Sequence, residues 1–297
     1  MKRVKFALLS KDIQDILKRV GAEADRAEMR VYLVGGVVRD LLLGQLSSDI
    51  DIVVEGDGFA FARKLAHKLK AEAVFHERFR TAALTLKDGM VLDVVTARRE
   101  TYAQLGALPD IVPATMKEDL LRRDFTVNAL AAGLNAANFG VLRDDVNGAA
   151  DLGSKLIRIM HEQSFLDDPT RILRAARYVV RFGFQFDALT QDLLNQAVDQ
   201  DVFKTLTPTR YFLEFRRILE EKDPVPSLDL LAAWGAVRYL PYESADRARL
   251  VAAGPDAPWE GRFAALLKGA PQARVDELCV LFNMSRSARQ KIAQALQ

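Results

Sequence analysis

The sequence predicts an α+β protein of 297 residues, in which a small β-sheet domain with flanking helices is followed by an all-helical part. Short apolar runs alternate with helix-like segments over the first half of the chain, which is typical of a sheet covered by helices. From about Gly148 onward, helical spacing dominates. We expect a sheet domain at 1–147, a first helical segment at 148–222 and a second helical segment at 223–297.

The composition restricts the function only loosely. Lys and Arg total 42 against 40 Asp and Glu, so the net charge of +2 does not indicate a nucleic-acid-binding protein. Any basic surface must therefore come from local clustering. Cys279 is the single cysteine, which argues against a zinc site and favours a reducing cytoplasm. The sequence contains neither a convincing signal peptide nor an apolar run long enough for a bilayer, so no membrane partner is expected.

Apolar spacing and turn residues predict the individual elements. Residues 10–20 have the spacing of an amphipathic helix, with Ser10 as its N-cap and Gly21 as its end. Asp88-Gly89 between two apolar runs predicts a hairpin. The other elements expected in the sheet domain are strands at 31–34, 49–55, 74–75, 80–86 and 90–96, and helices at 37–43 and about 59–69. The helices expected in the second half lie at 171–182, 190–198, 208–221, 227–234 and 262–267.

Two aspartates, Asp49 and Asp51, stand at the head of the second strand. Because side chains alternate along a strand, both carboxylates project from the same face and repel each other unless a cation lies between them. Mg²⁺ prefers such oxygen ligands. An isolated Asp-x-Asp is usually a solvated strand end, but Gly35 and Gly36 precede a helix whose N-terminus suits phosphate. Together these features predict a nucleoside triphosphate held through a metal, without a Walker or Gly-x-Gly-x-x-Gly motif.

Asp93 interrupts an otherwise apolar strand, and two explanations stay open. It either faces water on an edge strand or joins Asp49 and Asp51 as a third carboxylate. Arg122, Arg123 and Asp124, which stand just before a run with helix-like spacing, also allow two interpretations. They form a surface ion-pair group of little energetic value, or the arginines hold triphosphate oxygens while the aspartate accepts a ribose hydroxyl. A site of the second kind rejects a deoxynucleotide, because its polar groups would be left unpaired.

An arginine stripe follows Asp167-Asp168-Pro169. Pro169 suits a first helical turn and Asp168 an N-cap. At 100° per residue, the arginines of this helix share about a third of its circumference: Arg171, Arg174, Arg177 and Arg181. A solvated face is the usual explanation of such a stripe. Four arginines without a lysine favour phosphate or base recognition instead.

These motifs resemble, in order, those of class II tRNA nucleotidyltransferases and bacterial poly(A) polymerases. The matching stretches are LVGGVVRDLLLG, SSDIDIVVEG, RRDFTVNALA, DDVNGAADL, DDPTRILRA and PTRYFLEFRRIL, within about residues 30–222. DDPTRILRA resembles a bacterial subgroup that includes enzymes adding only the terminal A, and Asp167 stands where the family motif has Glu. The hinge motif corresponds to Asp145, Gly148 and Asp151. The last stretch implies a bracing pair between Arg210 and Glu214.

The resemblance implies a nucleotidyltransferase-type head (1–147), a nucleobase-recognising neck (148–222) and a tRNA-binding body (223–297). It implies Mg²⁺ on Asp49 and Asp51, with Asp93 as a third catalytic carboxylate. Residues 97–119 would hold a mobile loop, with Arg99 to Tyr102 resembling its stem and Gly106 and Pro109 fitting an irregular segment. The implied nucleotide-binding residues are Gly35, Gly36, Arg39, Arg123, Asp124, Asn128, Asp168, Arg171, Arg174 and Arg177.

The expected activity is addition of CMP or AMP, from CTP or ATP, to the tRNA 3′ end in the cytoplasm. Poly(A) synthesis is the nearest alternative. Adenylylation of a small molecule and RNA binding without catalysis are more distant ones. The sequence leaves open whether CC, A or CCA is added, and whether a homodimer forms.

Overall fold

A computed structural model describes residues 2–46, 49–239 and 242–297. Ser47 and Ser48, which open the SSDID stretch, lie outside the described residues. The chain divides into two compact units, the first formed by 1–103 with 108–161 and the second by 104–107 with 162–297. The sheet in the first unit and the helices of the second confirm the α+β class. Within the described ranges, no helix combines the length and apolarity needed to cross a membrane.

A mixed sheet forms the centre of the first unit. The strands of this unit are β1 (Arg30–Val34), β2 (Ile50–Glu55), β3 (Glu72–His76), β4 (Thr81–Thr85), β5 (Val91–Thr96), β6 (Arg98–Thr101), β7 (Asp110–Pro113), β8 (Ala131–Gly133), β9 (Leu142–Arg143) and β10 (Leu156–Ile157). Seven of them form one sheet in the order β3-β4-β5-β2-β1-β8-β9. The predicted hairpin is confirmed as β4–β5. β5 also pairs in parallel with β2, which brings two segments from distant parts of the sequence side by side.

The α-helices described in the first unit are α1 (Lys11–Arg26), α2 (Gly36–Leu42), α3 (Gly58–Leu69), α4 (Met116–Leu121) and α5 (Gly148–Gly153). Ser10 is confirmed as the N-cap of α1, since its side chain accepts a hydrogen bond from the Ile13 amide. The prediction that Gly21 ends this helix is wrong. A Cβ at Gly21 would lie 2.0 Å from the carbonyl oxygen of Leu134. Glycine is required here because the helix packs directly against the backbone of Leu134. It does not end the helix, and α1 continues to Arg26.

Tertiary pairing decides the structure of two further segments. Within 97–119, β6 and β7 form an antiparallel two-stranded ladder around the irregular stretch 102–109, as expected of a loop and its stem, and α4 follows. The run after Asp124 is not helical beyond a single 3-10 turn at Thr126–Asn128. It continues as β8, whose small residues pair with β1 inside the sheet.

Helices build the second unit, with one two-residue strand. Its elements are α6 (Ser164–Asp167), α7 (Thr170–Phe182), β11 (Gln185–Phe186), α8 (Ala188–Asp199), α9 (Pro208–Leu219), α10 (Val225–Ala233), α11 (Ser244–Ala253), α12 (Trp259–Leu266), α13 (Gln272–Leu281) and α14 (Arg286–Leu296). Aromatic rings fill part of its core. The Phe212 ring lies 4.6 Å from that of Phe282 and 5.4 Å from that of Phe263, measured between centroids. These contacts join α9, α12 and the end of α13. The finer division into neck and body stays a prediction.

Candidate nucleotide-binding and catalytic site

The parallel register of β2 and β5 places Asp51 directly beside Asp93. β5 lies between β4 and β2, so the edge-strand explanation of Asp93 is wrong. Burial, followed by repulsion from Asp93 and Asp49, raises the pKa of Asp51 to about 6 even though Arg123 opposes the shift. Burial and the charge of Asp49 also raise the pKa of Asp93. The three carboxylates therefore lie within electrostatic range of one another.

The donor set of this acidic cluster fits a hard divalent cation. Carboxylate oxygens are the protein ligands that Mg²⁺ uses, and it takes most of its remaining ligands from water and phosphate. Among the described residues, no group of three His, Cys, Asp or Glu side chains is arranged as a ready-made metal cage. Two carboxylates that share a metal with a triphosphate do not require such a cage. Asp49 and Asp51 are the pair that could hold it.

Gly35 lies between β1 and α2 as the N-cap of the helix, with a positive φ of 71°, a conformation that favours glycine. A Cβ at this position would lie 2.7 Å from Nη1 of Arg123. The Arg123 guanidinium therefore rests on the glycine turn. Its charge also reaches Asp51, because it lowers the pKa of that carboxyl group against the effect of burial. The structure thus brings the predicted phosphate turn, an arginine and the acidic cluster together in the first unit.

A buried polar chain supports this turn from behind. Arg39 is 5% exposed and donates through Nε to Oδ1 of Asp40 at 2.8 Å and through Nη1 to Oδ1 of Asn128. Asn128 in turn donates to Oδ1 of Asp124 at 3.0 Å. The predicted nucleotide-binding residues Arg39 and Asn128 thus orient Asp124 in this structure. Direct contact between Arg39 and a triphosphate stays a prediction.

The hinge motif packs against the same region. Gly148 begins α5, and a Cβ there would lie 2.1 Å from the carbonyl oxygen of Thr126. Asp151 accepts a hydrogen bond from Oγ1 of Thr126 at 2.7 Å and one from Nε of Arg158 at 2.9 Å. Asp145 accepts from Nε of Arg143 at 2.9 Å. Within the first unit, the motif holds α5 against the turn that carries Asn128.

In the second unit, Asp168 and Arg171 lie at the start of α7. Oδ1 of Asp168 accepts hydrogen bonds from the amide and hydroxyl of Thr170 and from Nη2 of Arg210 at 2.9 Å. The N-cap of α7 is Pro169, so the prediction of Asp168 as N-cap is wrong by one residue, although its side chain still binds the first helical amide. Arg171 is 5% exposed and donates through Nη1 to the carbonyl and hydroxyl oxygens of Ser164. Ser164 is a site residue that was not predicted, because nothing in its sequence context identifies it. Hydrogen bonds to neighbouring residues thus fix the side chains of both predicted base-reading residues, Asp168 and Arg171.

The rest of the arginine stripe is not a plain solvated face, because acidic side chains pair with it. Glu214 lies 3.4 Å from Nη1 of Arg174 and 3.7 Å from Nη2 of Arg177, while Arg177 and Arg181 both approach Glu221. The stripe is therefore neutralised in part by acidic residues on α9 and just after it. Recognition of a nucleotide by Arg174 and Arg177 stays a prediction.

The predicted pair between Arg210 and Glu214 does not form. Arg210 instead bonds Asp168 and the carbonyl oxygen of Gly106, and Glu214 takes arginines of α7. The pairing differs because α7 packs against α9, which offers each side chain a partner on the neighbouring helix. The bracing role itself agrees with these contacts, since both residues hold α7.

Comparison with known proteins agrees with this geometry. Residues 31–158 match the family described as the Poly A polymerase head domain. The A-adding tRNA nucleotidyltransferase of Halalkalibacterium halodurans is 40% identical over 247 residues, covering 82% of this chain and 58% of that protein. The Multifunctional CCA protein of Pseudomonas putida is 33% identical over 260 residues, covering 83% of this chain and 67% of that protein.

The likeness extends to three dimensions. A Thermotoga maritima CCA-adding enzyme complexed with tRNA is 34% identical, with a TM-score of 0.80 over 98% of this chain and 72% of that one. A sheet head with an acidic pair beside a glycine turn, followed by helices, defines a nucleotidyltransferase class of protein. The chain belongs to the family of tRNA nucleotidyltransferases and poly(A) polymerases, which confirms the resemblance. It spans only 58% of the Halalkalibacterium protein and 26% of the A-adding tRNA nucleotidyltransferase of Geobacter sulfurreducens.

Proposed function

We propose that the protein is a Mg²⁺-dependent nucleotidyltransferase that adds AMP, CMP or both, from ATP and CTP, to the 3′ end of tRNA in the cytoplasm. The observation that carries this proposal is the register of Asp51 beside Asp93, with Asp49 in electrostatic range and Arg123 resting on Gly35. The named relatives and the structural neighbour bound to tRNA support the choice of substrate.

The chemistry follows from the residues of the acidic cluster. Asp49 and Asp51 would hold Mg²⁺, and Asp93 adds negative charge on the adjacent strand. When bound, Mg²⁺ supplies activation of the attacking 3′ hydroxyl and neutralises charge on the leaving pyrophosphate. The backbone at Gly35 and Gly36 and the Arg123 guanidinium would orient the triphosphate and sugar. Asp124, fixed by Asn128, would accept the ribose hydroxyl.

Base choice is assigned to the second unit. Asp168 offers carboxylate oxygens and Arg171 offers guanidinium donors, which together can match the hydrogen-bonding edge of adenine or cytosine. Three matched relatives named A-adding are 40%, 41% and 43% identical, and one named CC-adding is 39% identical. With the DDPTRILRA stretch, these identities make terminal A addition the first activity to test.

The test is single-nucleotide extension with labelled ATP or CTP, Mg²⁺, and tRNAs that end before CCA, after C and after CC. Incorporation of one A on the CC-ended tRNA alone identifies an A-adding enzyme. Extension of all three, ending after A, identifies CCA addition, and extension that stops after CC identifies CC addition. Long A tails on unrelated RNA would identify a poly(A) polymerase instead of a tRNA-specific enzyme. No incorporation by the wild type, at any nucleotide and with folded protein, would refute it.

A further inference from the structure

A buried carboxylate that the motifs do not include lies behind Arg123. Asp119 is in the last turn of α4 and is 0% exposed. Its Oδ2 accepts a hydrogen bond from Nη2 of Arg123 at 3.0 Å. Its Oδ1 accepts from Nε and Nη2 of Arg122, at 3.0 and 2.8 Å, and from the Arg98 amide at 3.3 Å. The single carboxylate thus fixes two guanidinium groups and the start of β6.

The charge state of Asp119 agrees with this arrangement. Burial alone would raise its pKa, but the charges of Arg122 and Arg123 hold the pKa of the carboxyl group below its ordinary value. The group is therefore ionised at neutral pH. An asparagine of the same shape would lose the charge and would turn an amide donor toward one of the guanidinium groups. A carboxylate is thus the side chain that this position requires.

Three arginines meet around Asp119. Arg98, Arg122 and Arg123 face two buried carboxylates, Asp119 and Glu100. Glu100 pairs with Arg98 at 3.2 Å and with Arg122 at 2.8 Å. The Nε donor of Arg123 is buried and has no hydrogen-bond partner among the described residues. Arg123 therefore depends on Asp119 for its one ion pair within this group, while its charge also reaches Asp51.

We propose that Asp119 is a positioning residue for nucleotide binding, which holds the Arg123 guanidinium on the Gly35 turn so that the guanidinium meets the nucleotide. The proposal rests on the proposed function, in which Arg123 contacts the nucleotide. Asp119 does not itself touch substrate. It acts by restricting the rotamers of Arg123, a long side chain whose ordering would otherwise have to occur on binding.

The test measures Mg-ATP affinity by equilibrium binding, and KM and kcat for ATP on CC-ended tRNA. Asp119→Asn should weaken Mg-ATP binding and raise KM about tenfold, the loss expected for one charge-assisted interaction, with a smaller change in kcat. Glu100→Gln is the matched control. It removes a buried carboxylate from the same group of charges without touching Arg123, and should leave Mg-ATP affinity within about twofold of wild type.

A double-mutant cycle separates positioning from general loosening. In an Arg123→Ala background, Asp119→Asn should cause no further loss of Mg-ATP affinity, because the residue that it positions is gone. Should Asp119→Asn fail to fold, Asp119→Glu keeps the charge, displaces it by one methylene and should still weaken Mg-ATP binding. Equal effects of Asp119→Asn and Glu100→Gln, or additive effects in the cycle, would overturn the proposal.

The same cycle distinguishes failure of this proposal from failure of the proposed function. Unchanged Mg-ATP affinity in Arg123→Ala removes the nucleotide role of Arg123, and the role of Asp119 falls with it. Weakened affinity in Arg123→Ala, together with normal affinity in Asp119→Asn and Asp119→Glu, refutes the Asp119 role alone.

Discussion

Asp51→Asn should make the metal-free protein more stable while abolishing nucleotide transfer. The folded protein raises the pKa of Asp51 from 3.8 to about 6, mainly through burial. A proton is therefore bound more tightly in the folded than in the unfolded state. This contribution to stability is present below the unfolded pKa and is lost as pH rises through the folded pKa. Above pH 7 the wild type carries the full cost of the buried charge.

The size of this cost follows from the two pKa values. At about 1.4 kcal/mol per pKa unit, the difference between 3.8 and about 6 corresponds to about 3 kcal/mol at pH 8 and about half of that at pH 5. Partial solvent access reduces both figures, so we expect about 2 kcal/mol at pH 8. Asparagine keeps the shape of the side chain and leaves the strand pairing of β2 in place.

The assay is urea unfolding in EDTA at pH 5 and pH 8, with Asp256→Asn as the control. Asp256 is exposed on the turn before α12, so its substitution should leave the unfolding midpoint unchanged. Added Mg²⁺ should stabilise the wild type and not Asp51→Asn, because a ligand of the folded state raises stability by mass action. A variant no more stable than wild type at pH 8, or a difference that does not shrink at pH 5, would refute the reasoning.

Three further outcomes test other parts of the structure. Gly21→Ala should lower the free energy of unfolding, measured in urea, by about 2 kcal/mol, because its methyl group would meet the Leu134 carbonyl. Gly153→Ala is the control, since the space around its Cβ is open, and should leave stability unchanged. Equal effects of the two substitutions would contradict the packing of α1. Arg171→Lys should lower the kcat/KM preference for ATP and CTP over UTP and GTP about tenfold, because a single ammonium group replaces the two-pronged guanidinium donor. Unchanged selectivity would contradict a role of Arg171 in base recognition. Arg262 is 2% exposed and donates hydrogen bonds to the carbonyl oxygens of Leu219 and Glu221 at the end of α9. Arg262→Ala should therefore lower the free energy of unfolding in urea by about 3 kcal/mol. Unchanged stability would contradict a structural role for these hydrogen bonds.

The sequence predicted most accurately those structural features whose determinants lie within a few residues of one another. The Ser10 cap, the Asp-Gly hairpin and the helix that starts near Arg171 all depend on local signals, and all three are present. The acidic pair and the glycine turn were also found from local patterns. Their joint role in holding a nucleoside triphosphate through a metal was also predicted from these patterns, and the family resemblance added the individual residue roles.

What the sequence could not supply depends on contacts between distant segments. The position of Asp93 is set by the parallel pairing of β5 with β2, about forty residues earlier in the chain. The continuation of α1 past Gly21 depends on the backbone at Leu134. Asp119 offered one weak signal, an aspartate four residues before Arg123, which is a common pairing distance on a helix surface. That spacing alone does not show that the pair is buried beside Gly35.

Asp51 and Asp119 have opposite expected effects on stability, and this difference distinguishes a ligand-binding carboxylate from a structural one. Asp51 is a charge that the folded metal-free protein tolerates at a cost, so neutralising it should raise stability and lower activity. Asp119 is a charge whose guanidinium partners depend on it, so neutralising it should lower both stability and nucleotide affinity. Buried charges that repel one another without a ligand are a property of ligand sites, whereas buried charges satisfied by their neighbours are a property of the structure that holds such sites in place. The first unit contains both kinds of charge, and Arg123 interacts with each.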